Sequence, residues 1–226
     1  MSLRDLNRQI IACRRCPRLV AWREAMAVRK RKAYQDWDYW AKPVPGFGDE
    51  RARVLAVGLA PGAHGSNRTG RQFTGDASGA FLYPALYRAG YSSRPASLNR
   101  DDGLELRDLY LTASARSAPP DNKPTLEELA NCQPYLECEM ELIRPRVIVC
   151  LGRIAFERVL RILGRRLSEF KFAHGASYRV ESAISGGSIW LLCSYHPSRQ
   201  NTSTGRLTAA MFDRIWAEAR RLVGDV

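Results

Sequence analysis

The sequence predicts an α/β fold, a three-layer α/β/α sandwich around a central four-stranded parallel sheet. Three observations predict it. Four apolar runs, each short enough for a buried strand, end in Gly, Pro or small polar residues. Segments with helical periodicity separate them. The chemically unusual loops all follow strands, at the end where open parallel sheets gather their ligands.

The first run is RVLAVGLAPG (Arg53 to Gly62), closed by a Pro-Gly turn. SGAFLYPALYRAGY follows as a helix, with Gly90 near its end. DLYLTASA (Asp108 to Ala115) is the second strand. TLEELANCQPYLECEMELI opens with Thr125 and Glu128, the Thr-x-x-Glu capping box, and is the next helix. RVIVCLG (Arg146 to Gly152) is the third strand, and RIAFERVLRIL is a helix stopped by Gly164. SIWLLCSY (Ser188 to Tyr195) is the fourth strand, and TAAMFDRIWAEARRLV is an amphipathic C-terminal helix. No internal repeat or low-complexity linker divides the chain, so residues 1–226 are expected to form a single domain. The first 50 residues, basic and rich in Trp, Tyr and Pro, are expected to be an extension packed on the core.

The 226 residues carry 35 Lys and Arg against 23 Asp and Glu, a net charge of +12. An excess of this size points to a polyanionic partner, nucleic acid before an acidic membrane. The alternative is a basic solvated surface. No apolar run approaches the roughly 18–20 residues of a membrane helix. The N-terminus has no apolar core before a small-residue cleavage site, so a cytoplasmic, nucleoid-associated protein is expected. Six cysteines in such a chain suggest metal ligands or buried thiols rather than a disulfide framework.

Gly58 to Gly79 holds six glycines and a single carboxylate, Asp76. Glycines such as Gly62 let backbone approach a ligand closely. The stretch has neither the Gly-Lys-Ser/Thr of a P-loop nor a dinucleotide fingerprint. Asp76 is either a helix N-cap or a carboxylate that stabilises positive charge and orients water. Phe73 is either core or a surface on which a base stacks. His196, one of three histidines, stands where the fourth strand gives way to Pro197-Ser198-Arg199-Gln200-Asn201. It is a satisfied strand-end residue or a catalytic tip, and Ser198, Arg199 and Asn201 are suited to gripping a phosphodiester. Cys13-x-x-Cys16 has metal-ligand spacing, but zinc or iron–sulfur sites need about four ligands. Of the remaining cysteines, Cys150 and Cys193 lie inside apolar strands as buried thiols, and Cys132, early on a helix after a Pro-rich loop, is the better ligand.

With these motifs in view, the chain resembles the family 5 (type B) uracil-DNA glycosylases of bacteria and archaea. The resemblance is carried by ACRRCPRLVAWRE, GLAPGAHGSNRTGRQFTGDASGAFLYPAL, ARSAPPDNKPTLEELANC and SYHPSRQNTSTGRLT, in order, over about residues 8 to 222. It implies removal of uracil and other deaminated bases, hypoxanthine and xanthine among them, from damaged DNA by a monomer. It implies that Asp76 is the catalytic carboxylate, that Phe73 stacks on the flipped base, and that Asn122 is a polar residue of the active site. His196 and Asn201 would contact the base and the strand. Ala113 stands where related families place a base-reading asparagine, which implies relaxed specificity. The family also implies a [4Fe–4S] cluster. Cys13, Cys16 and Cys132 match its ligands, but Ser117 occupies the fourth position, and a serine oxygen is a poorer iron ligand than thiolate. Cys138, six residues past Cys132, would point elsewhere on the same helix, so a Ser117-containing or easily damaged cluster is expected. A non-catalytic nucleic-acid-binding protein with cysteine-bound zinc is the rival reading. A metal-dependent nucleotide hydrolase is disfavoured because these loops lack carboxylate clusters.

Overall fold

The computed structural model describes residues 1–182, 184 and 186–224. Its elements, in order, are α1 (Leu3–Ala12), α2 (Pro17–Val28), β1 (Phe47–Gly48), β2 (Val54–Gly58), α3 (Ser66–Thr69), α4 (Ala77–Arg88), β3 (Leu109–Ala113), α5 (Leu126–Ile143), β4 (Val147–Leu151), α6 (Arg153–Ile162), β5 (Ser177–Ser182), β6 (Gly187–Ser194), α7 (Arg199–Ser203) and α8 (Ala209–Gly224).

The sheet has six strands in the order β1-β3-β2-β4-β6-β5. The four anticipated strands, β3-β2-β4-β6, form its parallel centre. The expected four-stranded sheet is extended by an antiparallel edge strand on each side. Neither edge strand shows in the apolar pattern, for different reasons. β1 is only two residues long. β5, Ser-Tyr-Arg-Val-Glu-Ser, is mostly exposed or half-buried and has no apolar run. The central β2, β3 and β4 are buried at every position, because helices cover both faces.

One face packs against α4 and α8, where Leu82, Leu86, Phe212 and Trp216 meet Val54, Leu111 and Val149. The other packs against α1, α5 and α6, where Leu6, Ile10, Leu136 and Phe156 meet Leu55, Ile148 and Leu191. The basic N-terminal segment therefore contributes α1 to a core layer. The Thr125 capping box on α5 forms as its sequence predicts, with Glu128 N donating to Thr125 Oγ1 at 3.2 Å and Thr125 N donating to a Glu128 carboxylate oxygen at 2.8 Å. Among the described residues no helix is long and apolar enough to cross a membrane.

Candidate active site

The turn after β2 folds back through α3 and delivers Asp76 to the start of α4. Asp76 Oδ1 accepts from Gly79 N at 3.0 Å, so the residue is the N-cap of α4. Its other oxygen lies against the glycine turn: a Cβ on Gly65 would sit 2.0 Å from Oδ2, and one on Gly62 would sit 2.8 Å away. The carboxylate thus fills space that any other residue type at Gly65 would occupy. Gly62, expected to admit a ligand, packs against the carboxylate. Burial pushes the Asp76 pKa up, against opposing pulls from the Gly79 and Ser78 N–H groups and the Arg68 guanidinium.

Phe73 holds a left-handed backbone, φ 52°, a conformation that is strained for a bulky residue. Its surroundings enforce it. Gly79 packs on its carbonyl so closely that a Cβ there would come within 1.8 Å of the oxygen. Tyr83 donates to the adjacent Gln72 carbonyl at 3.0 Å, and Gln72 donates to the Val44 carbonyl at 3.2 Å. The Phe73 ring consequently lies over Gly58, the last residue of β2, whose added Cβ would meet the ring at 2.6 Å.

The ring's other neighbour is His196, just beyond β6, with ring centroids 6.0 Å apart and planes inclined by 32°. Asn201 Nδ2 donates to the His196 carbonyl at 2.9 Å and fixes the turn. Burial pulls the His196 pKa down to about 4, so the imidazole is neutral at physiological pH. A cavity of about 370 Å³ opens beside it, lined by His196, Asn201, Tyr195, Phe172, Arg153 and Arg206 among others. Arg206 stacks over Tyr195 at 4.7 Å and Arg153 over Phe172 at 5.5 Å, which gives the cavity a cationic, aromatic mouth.

A family model described as "Uracil DNA glycosylase superfamily" matches residues 45–220. A type-5 uracil-DNA glycosylase from Thermus thermophilus is 59% identical over 216 residues, 95% of each chain. One from Mycobacterium leprae is 49% identical, covering 99% of this chain and 96% of its own. The chain belongs to the uracil-DNA glycosylase superfamily. A type-4 uracil-DNA glycosylase from Archaeoglobus fulgidus is more distant, 33% identical over 87% of this chain and 82% of its own.

Of the other site residues read from sequence, Asn201 joins His196 at the cavity, whereas Asn122, Ser198 and Arg199 are not among the residues that line it. Asn122 lies on an exposed turn with φ 56°, after Asp121 at φ 53°. Ser198 caps the short helix α7, accepting from Asn201 N at 3.4 Å, and Arg199 opens that helix with its side chain exposed. The segment read as a phosphate-gripping loop is therefore partly helical.

The cysteine set is only partly assembled. Arg23, 3% exposed, donates from Nη1 to Ser117 Oγ at 2.8 Å and approaches the Cys13 carbonyl at 3.4 Å. Asn131 Nδ2 lies 3.5 Å from Cys16 Sγ. Burial raises the pKa of Cys132 and of Cys16. Cys138 packs instead with the apolar layer around α5. Among the described residues no group of three or more His, Cys, Asp or Glu is gathered to hold a metal ion. With a hydroxyl already bonded to a buried guanidinium at the fourth corner, the donors present do not fit a four-thiolate cluster. Ser117→Cys is expected to raise iron and sulfide content and visible absorbance in protein purified without oxygen. Equal content in both proteins would show that residue 117 does not limit cluster binding.

The sequence reading missed two parts of the site. Arg153 and Phe172 line the cavity, yet only Arg153 carried a signal, since it directly follows the third strand at the ligand-gathering end. Arg68 is the other. Its guanidinium lies 4.0 Å from the ring centroids of both Tyr34 and Trp37. Nε donates to the His64 carbonyl and Nη2 to the Gly75 carbonyl, each at 2.8 Å. It thereby ties together the residue before Gly65 and the residue before Asp76, and brings a positive charge near that carboxylate. Arg68→Met removes a pull that lowers the Asp76 pKa. The acidic limb of the pH–rate profile is therefore expected to move to higher pH, with activity lost first in mild acid. Superimposable limbs for the two proteins would remove Arg68 from this role.

Proposed function

We propose that this chain is a monofunctional DNA N-glycosylase that extrudes uracil from DNA and hydrolyses its glycosidic bond, leaving an abasic site. The observation that carries this reading is the Phe73–His196 pair, a strained aromatic beside a neutral imidazole. His196 lines a cavity at the carboxyl ends of the strands; Phe73 packs on His196 from outside that lining, and Asp76 follows three residues along the chain.

A base inside a duplex is out of reach of such a slot, so it is flipped out. Flipping costs a few kcal/mol, and less for a mismatched uracil. Contacts from Arg153, Arg199, Arg206 and the wider basic surface to phosphates offset part of that cost. As the N-glycosidic bond breaks, positive charge builds on the sugar and negative charge on the base. Ionised Asp76 stabilises the sugar cation and orients the water that attacks C1′. Neutral His196 donates a hydrogen bond to the base oxygen as that oxygen becomes anionic. A preorganised donor of this kind is worth about 3–4 kcal/mol. The departing base anion takes up a proton from solvent, and the attacking water gives one up. Asn201 acts by holding His196, and Asn122 and Ser198 are assigned to the DNA strand.

Release of hypoxanthine and xanthine is part of the same proposal. Ala113 ends β3 in register with Gly58, the residue the Phe73 ring covers, and is buried. It offers a methyl group where an amide would read the base edge, and sites without such polar partners discriminate weakly. Cys13, Cys16 and Cys132 are given a structural role. Any cluster they carry would be a labile one with Ser117, and no step of the hydrolysis passes through it. The protein is expected to act as a cytoplasmic monomer.

The test is a set of duplexes with uracil, hypoxanthine or xanthine opposite cytosine or guanine, assayed with a chelator present. Free base and an alkali-sensitive site are expected. Binding to duplex without base release from any member would leave the non-catalytic binding protein as the better account.

A further inference from the structure

A second cavity, of about 440 Å³, lies away from the cavity beside His196. It is lined by Arg8, Ile11, Ala12, Arg14, Arg23 and Lys42. Four of these six residues are cationic and none is acidic. Arg8, Arg14 and Lys42 are exposed at its rim, whereas Arg23 is buried at 3% exposure. One edge of the Arg23 guanidinium is occupied by Ser117 and the Cys13 carbonyl, but its Nε is buried without a hydrogen-bond partner. A buried N–H left unpaired is costly, more so when the group is charged, and an anion held among these cations would offset that charge. The carboxylates nearby act at the rim: Glu24 pairs with Arg14 at 2.7 Å and Asp5 with Arg8 at 3.7 Å.

The cavity shares its wall with the segment that carries Asp76. Asn67 Nδ2 donates to the Arg23 carbonyl at 3.2 Å. Trp40 N and Ala41 N, next to Lys42, donate to the Arg68 and Asn67 carbonyls at 2.9 and 3.0 Å. An anion held here would lie one layer of chain from the turn that carries Asp76.

We propose that this cavity is an anion site that takes a backbone phosphate of the bound DNA, outside the nucleotide being excised. The proposal rests on the glycosylase reading for its partner. The guanidinium and ammonium groups suit a phosphodiester oxygen pair, and such a contact adds affinity without reading sequence. It makes the N-terminal helices part of the DNA-binding surface as well as of the core.

The test compares the full-length protein with Arg8→Gln/Lys42→Gln, two exposed positions outside the base site. Arg107→Gln/Arg214→Gln is the control, with the same charge loss among exposed residues, Arg214 on α8 across the sheet. Affinity for an undamaged duplex is measured against salt, and base release is measured at saturating uracil-containing DNA. For one lost phosphate contact the salt slope should fall by about 0.9, so that from 50 to 200 mM salt the wild type loses about three- to fourfold more affinity than the variant. Saturated release rates should be equal, and the control should keep the wild-type slope. Slopes for the variant equal to the control's would overturn the proposal. So would a melting-temperature rise with inorganic phosphate that the variant loses while its DNA slope stays unchanged, since the site would then serve a free anion. A wild type that binds duplex but releases no base would instead remove the glycosylase reading and leave the phosphate contact standing.

Discussion

Asp76→Asn is expected to lower the single-turnover rate of base release by about 10²–10³-fold, the range typical of losing one preorganised electrostatic partner of a transition state, while affinity for duplex DNA stays at the wild-type level. The substitution isolates charge from architecture. Asp76 Oδ1 caps α4 through Gly79 N, and asparagine caps helices about as well as aspartate. The amide is nearly isosteric, so it fits the space against Gly65 that a bulkier residue would not. Thermal stability should be equal or higher. The Asp76 pKa is raised by burial, so the folded protein holds this proton more tightly than the unfolded chain. Stability from this group is therefore lost as pH rises through the shifted range, and the ionised carboxylate is a net cost at neutral pH. An Asp76→Asn protein that is as active as the wild type would remove the carboxylate from the chemistry. One that is inactive but also fails to bind duplex would mean that the substitution had damaged the site as a whole.

Arg116→Met is expected to destabilise the fold by about 3–5 kcal/mol, the usual consequence of removing one partner of a buried ion pair. Arg116 and Glu139 are both essentially inaccessible to solvent. Arg116 Nη2 donates to Glu139 Oε2 at 2.5 Å and Nη1 to Oε1 at 3.0 Å, while Thr112 Oγ1 donates to Oε2 at 2.6 Å. Arg116 Nη1 also bonds to Thr112. Without Arg116, Glu139 is a buried carboxylate with a single hydroxyl partner. The pair joins the segment just past β3 to the second half of α5, and the Arg116 carbonyl accepts from Val44 N at 2.7 Å, so the loss reaches the N-terminal segment too. Urea denaturation should show a lower midpoint with an unchanged slope. Replacing both partners, as Arg116→Met/Glu139→Leu, should recover much of the loss, because no charge is then left buried. A single variant within about 1 kcal/mol of wild type would show that this buried pair is not a principal support of the fold.

The central sheet was legible because its strands are buried on both faces, and double burial writes itself as an unbroken apolar run such as Val147–Leu151. The edge strands lack that pressure, and β1 is two residues held by its pairing to β3 and by Phe47 against the core. Asp76 and His196 stand out as candidates because their surroundings are chemically odd in one dimension: a lone carboxylate among glycines, and a histidine where a strand ends. Neither the packing of Asp76 against Gly65 nor the strained Phe73 backbone could be read that way, since both follow from contacts with Gly65 and Gly79 that exist only after folding. The Arg68 clamp was hidden for the same reason, because Tyr34 and Trp37 reach it from more than 30 residues upstream. Ser117 was legible as a departure at the fourth ligand position. Its bond to Arg23, which occupies the hydroxyl, was not.

The most direct measurement is the wild-type rate of uracil release from a single-uracil duplex under single-turnover conditions, followed as a function of pH. An anionic Asp76 and a neutral His196 predict one acidic limb, placed above the ordinary aspartate range, and then a plateau through neutrality, because His196 has already lost its proton above about pH 4. A rate that instead falls through the range where an ordinary histidine loses its proton would show that His196 works as a charged acid, contradicting the division of roles drawn here.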